Sequence, residues 1–172
     1  MLAVLAGAAL PSAGAERWHR EVLGRAQTHS LLTQAGTAGA FRLEHLHPAM
    51  LTEMAEQLGV PPEAIPTLIS EGYARTAEAV NVSRVVYDGN SARFGETGAR
   101  RWGAVTLSMA GTFVDTGRAI PQACLWMVVF SDGDAWYFEV LAQPLTAQLL
   151  ASALPDMAEP VSTLPDASCP DE

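Results

Sequence analysis

The chain has 172 residues, enough for one domain with a sizeable core. It is 49% hydrophobic and 17% charged, a balance that argues against global disorder. All ten basic residues are arginine, and the net charge of −9 argues against nucleic acid or an anionic membrane as a partner, because both need a basic footprint.

The chain opens on MLAVLAGAALPSAGAE. Leu2 to Leu10 is a short apolar run, Pro11 breaks it, and Ala13-x-Ala15 fits a signal-peptidase site with cleavage before Glu16. No basic residue precedes the run. The run is too short to span a bilayer, which takes about 20 residues, and no cysteine follows it to carry a lipid. Residues 1–15 are therefore expected to be a signal peptide, and the mature protein periplasmic or secreted, free of the membrane after cleavage. Such a compartment permits a bridge between Cys124 and Cys169, the two cysteines of the chain. Spacing alone leaves open whether they pair or remain one strand thiol and one tail thiol.

Glu16 to Ala35 reads as an amphipathic helix, with Trp18, Val22, His29 and Leu32 near helical spacing. FRLEHLHP then leads, as an extended segment, into a second helix that starts at Pro48, presents Met50, Leu51, Met54 and Leu58, and ends at Gly59. A third helix carries Ile65, Leu68, Ile69, Tyr73 and Ala77. Beyond Val80 the period changes to two. Val82 to Asp88 is strand-like, and Asp88-Gly89-Asn90 is expected to turn the chain. Val105, Leu107 and Met109 alternate with Thr106 and Ser108, Gly111 marks a bulge or bend, and Asp115-Thr116-Gly117-Arg118 is a hairpin connection. Ala123 to Ser131 and Ala135 to Ala142 are two further strands, joined by a turn at Asp132-Gly133. PLTAQLLASALP closes the domain as a short helix. The domain is expected over residues 16–157, and residues 158–172 as a flexible acidic tail. Helices followed by a meander of strands mean an α+β fold: three N-terminal helices packed on a curved antiparallel sheet, with a short C-terminal helix.

This order, together with the closing hairpin LWMVVFSDGDAWYFEVL, resembles the ketosteroid isomerase and nuclear transport factor two superfamily. The resemblance covers roughly residues 16–154 and implies a cone-shaped fold around an internal pocket. Isomerases of that superfamily use a buried carboxylate base with tyrosine and acid oxyanion donors. No stretch here matches that set residue by residue, and many members bind or assemble without chemistry, so the resemblance implies no catalytic residue.

Nucleophilic catalysis finds no G-x-S-x-G elbow, and phosphate binding finds no glycine-rich loop with a lysine. His45 and His47 would lie on one side of an extended segment, as weak metal candidates; they supply two ligands where structural zinc needs four, so no metal or other cofactor is expected. Asp132 and Asp134 around Gly133 lack the spacing of a calcium loop. Tyr73, Tyr87, Trp102, Trp126 and Tyr137 are candidates for lining an apolar pocket. Both faces of the strand from Ala123 to Ser131 are apolar, so both should be covered, by the closing helix, the tail or a second subunit in a homodimer.

Glu139 is the acid centred in an apolar strand, on the face of Tyr137 and Leu141 and away from Trp136 and Phe138. The reading that follows is an exported, non-catalytic domain that binds a small apolar ligand or a protein partner. The alternatives are an isomerase- or dehydratase-like enzyme with Glu139 as base, and an assembly subunit that uses the outer sheet face. An acid aimed into a cavity favours the enzyme, an apolar cavity without one favours ligand binding, and a filled core favours assembly.

Overall fold

The structure, a computed structural model, describes residues 13–98, 100–142, 144–167 and 169. Residues 1–12 of the expected signal segment lie outside that set. Four α-helices come first: α1 (Ala13–Gln34), α2 (Ala38–Glu44), α3 (Pro48–Leu58) and α4 (Ile65–Ala79). Four strands follow, β1 (Val80–Thr97), β2 (Arg100–Phe113), β3 (Ala123–Asp132) and β4 (Ala135–Leu141), then α5 (Pro144–Ala153) and α6 (Ala158–Ser162). The sheet is an antiparallel meander in the order β1-β2-β3-β4, so the protein is α+β with helices before and after one sheet.

The local signals act where the physics allows. Pro48 sits in the first turn of α3, and Gly59 ends it at φ 66°, in the left-handed region open to glycine. Gly111 lies at a register shift where β1 crowds it: a Cβ there would fall 2.4 Å from the Asn81 carbonyl oxygen, so only glycine fits. The β3–β4 hairpin pairs Asp132 with Ala135, which makes Gly133 and Asp134 the turn residues, one position later than expected. Gly133 takes φ 59°, and Asp134 is not at positive φ, as a two-residue hairpin loop led by glycine requires.

Besides α2, a fourth helix where three N-terminal helices and an extended FRLEHLHP were expected, two segments differ from expectation. Asp88-Gly89-Asn90 does not reverse the chain; it is a bulge within the long strand β1, where the register jumps from Asp88–Thr106 to Arg93–Ala104. The Asp88 carboxylate accepts the Asn90 N–H, and the Ser91 hydroxyl accepts the Thr106 N–H that the bulge leaves without a strand partner. Second, the segment expected as a flexible tail, residues 158–172, is not loose where described. A 3-10 turn (Pro155–Met157) and α6 pack back on the core, Trp126 donates its indole N–H to the Pro165 carbonyl at 2.8 Å, and Cys124 and Cys169 form a disulfide with Cα atoms 5.3 Å apart.

Both sheet faces are thereby covered from within the chain. On one, Trp18, Val22 and Ala26 of α1 pack on Val105, Leu107, Met127, Val129 and Phe138. On the other, Leu46 and Met50 beside α5 residues Leu149 and Leu150 pack on Trp126, Val128 and Phe130. Full burial of such a side chain contributes roughly 1.5–3 kcal/mol. The apolar faces of β3 that motivated a homodimer are occupied by the protein's own helices and C-terminal segment. No described helix is long and apolar enough to cross a membrane.

Candidate functional site

Glu139 lies in the middle of β4, opposite Val128 of β3, on the face the alternation predicts. It is 1% exposed. A carboxylate buried so deeply must be paired or neutral. Its partner is Arg42 of α2: Nη1 lies 2.6 Å from Oε1, and Nη2 donates to Oε2 at 2.8 Å. The backbone N–H of Val140 donates to Oε1 at 3.2 Å. The fork of the guanidinium thus meets the carboxylate with two parallel bonds, the geometry that arginine favours.

The short helix α2 makes this pairing. Its buried residues are Ala38 and Arg42, one turn apart, so the arginine is carried inward by the same face that buries an alanine. The Phe138 N–H donates to the His45 carbonyl just past α2, which docks that helix on the free edge of β4. Tyr73 of α4 completes the group. Gly39 opens the space for it, since a Cβ there would lie 3.0 Å from the Tyr73 ring. The Tyr73 hydroxyl interacts with the Arg42 guanidinium.

Burial and charge set the states of these groups. Burial pushes the Glu139 carboxyl above its ordinary range, and the Arg42 charge opposes that. Burial works against the Arg42 cation, but Glu139 and Tyr73 outweigh it and hold the guanidinium above its usual value. Burial also raises the Tyr73 phenol, so it stays neutral. His29 of α1, 6% exposed, is lowered to about 4 by burial and then by the Arg42 charge, and is therefore neutral at pH 7.

These four side chains line one cavity of about 930 Å³, at the upper end of the roughly 300–1,000 Å³ usual for small-molecule sites. Its walls are Met54 of α3, Val85, Leu107, Met109 and Leu125 from the sheet, and Leu149 of α5. Thr76 and Ala77 of α4 close one side. Leu58, Val114 and Leu145 also line it, each about 60% exposed, and they make an apolar rim. Three of the five large apolar side chains left exposed among the described residues belong to this one feature, so the patch is not scattered surface.

The structure brings Glu139 and Tyr73 together and places the other candidates elsewhere. Tyr87 packs half-buried against the α1 side of the sheet. Trp102 flanks the opposite core, over Gly95 of β1. Trp126 is buried with its N–H on Pro165, and Tyr137 packs edge-on against His47. His45 and His47 are not on one side. His45 ends α2 and its ring stacks on Trp136, whereas His47 caps α3 and its ring meets Tyr137, whose side chain leaves the other face of β4. Both nitrogens of His47 are engaged: Nδ1 accepts the Ala49 N–H, so Nε2 carries the proton and donates to Asp132 at 2.9 Å. Among the described residues no group of three His, Cys, Asp or Glu is placed to hold a metal ion.

Reading the sequence misses Arg42, and it places His29 on the apolar face of the first helix without assigning it to this cavity. One signal was there for Arg42: a glutamate in an apolar strand needs a cation, and FRLEHLHP holds an arginine beside apolar residues.

The chain matches no family model, no curated protein and no solved structure. It is an α+β protein with N-terminal helices and a four-stranded antiparallel sheet, and no family is assigned to it.

Proposed function

We propose that this is an extracytoplasmic binding protein that holds a small apolar ligand in the cavity between its helices and its sheet. The observation that carries the reading is the cavity itself: about 930 Å³, apolar walls, an apolar rim, and a few polar groups gathered at Arg42, Glu139 and Tyr73. Preformed sites for small molecules are built this way. An internal pocket is also what the resemblance to the cone-shaped superfamily implies. The Cys124–Cys169 disulfide supports an oxidising compartment and the expected export.

Glu139 lines the cavity, which is the outcome named for the enzymatic alternative, and that alternative needs Glu139 to take a proton from a substrate. Both of its oxygens are already held by Arg42, and one also by the Val140 N–H, which weighs towards binding. The assembly alternative needs a bare sheet face, and helices from this chain occupy both faces.

Titration with the neutral fluorescent probe N-phenyl-1-naphthylamine tests the reading. The expected outcome is saturable binding at one site per chain. Ala77→Trp should abolish it with an unchanged circular dichroism spectrum, because Ala77 faces the cavity and is otherwise exposed. Absence of saturable binding, or binding indifferent to Ala77→Trp, overturns it.

A further inference from the structure

The cavity wall is electrically balanced although the chain is not. The protein carries −9, with 19 acidic and 10 basic residues. Among the described residues that line the cavity, the formally charged ones are Arg42 and Glu139, bound to one another. The other polar liners, including Gln34, Gln57, Asn81 and Thr146, are uncharged.

This balance decides what the cavity accepts. Were Arg42 unpaired, it would hold a carboxylate or phosphate head; were Glu139 unpaired, it would hold an amine. Each instead neutralises the other through two short contacts, so neither offers net charge to a ligand. A charged head group brought here would lose its hydration and find no counter-charge. A neutral head meets no such penalty. It also finds hydrogen-bonding groups: the Tyr73 hydroxyl lines the cavity and has a proton to donate, and a guanidinium has five N–H donors, of which the carboxylate contacts engage two. Those donors ask for an acceptor oxygen. The apolar walls formed by Met54, Leu107, Met109 and Leu125 ask for a hydrocarbon body.

We propose that the cavity selects uncharged amphiphiles, an apolar chain ending in a hydroxyl or carbonyl oxygen that meets Tyr73 and Arg42, and rejects the matching carboxylate and ammonium. This rests on the cavity being a ligand site, as proposed above, and adds the charge of the ligand. His29 sharpens the selection, since its neutral ring contributes no charge at pH 7.

The test displaces N-phenyl-1-naphthylamine at pH 7.4 with decan-1-ol, decanoate and decylamine, each below its aggregation concentration. Decan-1-ol should displace the probe at a concentration at least tenfold lower than either ion. Decanoate or decylamine performing as well as the alcohol overturns the selection while leaving the cavity a binding site. A probe that never binds overturns both. Glu139→Gln leaves Arg42 without its counter-charge and should move the preference to decanoate by tenfold or more. An unchanged preference in a folded Glu139→Gln protein contradicts the charge-balance account, and the unsubstituted series decides the matter if that variant does not fold.

Discussion

Two acid–arginine groups in this protein have the same chemistry and opposite surroundings. Glu139 and Arg42 sit inside the cavity, and burial pushes the carboxyl up. Asp132 stands at the β3–β4 turn with its side chain 46% exposed, bonded to His47 and 3.3 Å from Arg100, which also binds Asp156. There the His47 hydrogen bond leads, and the carboxyl is held below its usual range. The same pairing is therefore a matter of desolvation in one place and of hydrogen bonding in the other. The buried pair is costly to break and forms part of the cavity wall, whereas the exposed group ties hairpin ends to α3 and the turn after α5, and contributes little.

The widest gap between the two should appear when one partner is removed. Arg42→Met leaves Glu139 buried without a counter-charge, and denaturant unfolding should show a loss of about 3–5 kcal/mol at pH 7. Arg42→Met with Glu139→Leu should recover most of it, because an apolar pair of similar volume carries no desolvation penalty. A loss below about 1 kcal/mol for the single variant would place this pair with surface ion pairs and erase the contrast.

Asp132→Asn is the smaller test. Its cost should not exceed about 1 kcal/mol and should shrink in high salt. The pH dependence follows from its sign. A carboxyl with a lowered folded-state pKa stabilises above its unfolded pKa, and that stabilisation is lost as pH falls through the folded value. The difference between the unsubstituted protein and Asp132→Asn should therefore vanish in acid. Glu139 has the reverse sign: its raised carboxyl favours the fold most at low pH and loses that contribution as pH rises through the folded value. An Asp132→Asn difference that grows in acid contradicts the assignment.

The contrast also explains what the sequence could convey. Strand alternation placed Glu139 opposite to Trp136 and Phe138, and the helix and strand periods gave the α+β order, because both depend on near neighbours. Arg42 lies 97 positions from Glu139, and no local period links them. Its helix α2 is seven residues long, too short for a periodic signal, so FRLEHLHP reads as extended from sequence, which would put His45 and His47 on one side. Asp88-Gly89-Asn90 misled for a related reason: a turn dipeptide and a bulge use the same residues, and only the partner strand tells them apart. The disulfide was open on spacing alone; what settles it is the C-terminal segment returning over Trp126, which brings Cys169 to β3.

The cavity as a ligand site is tested most directly at its methionines. Met54 and Met109 line it, whereas Met50, Met127 and Met157 are buried in the two cores. With the methionine methyl groups labelled with carbon-13, titration of decan-1-ol should move the Met54 and Met109 resonances to saturation and leave those of Met50, Met127 and Met157 in place. Stationary Met54 and Met109 signals, or equal shifts at all five, would contradict the account.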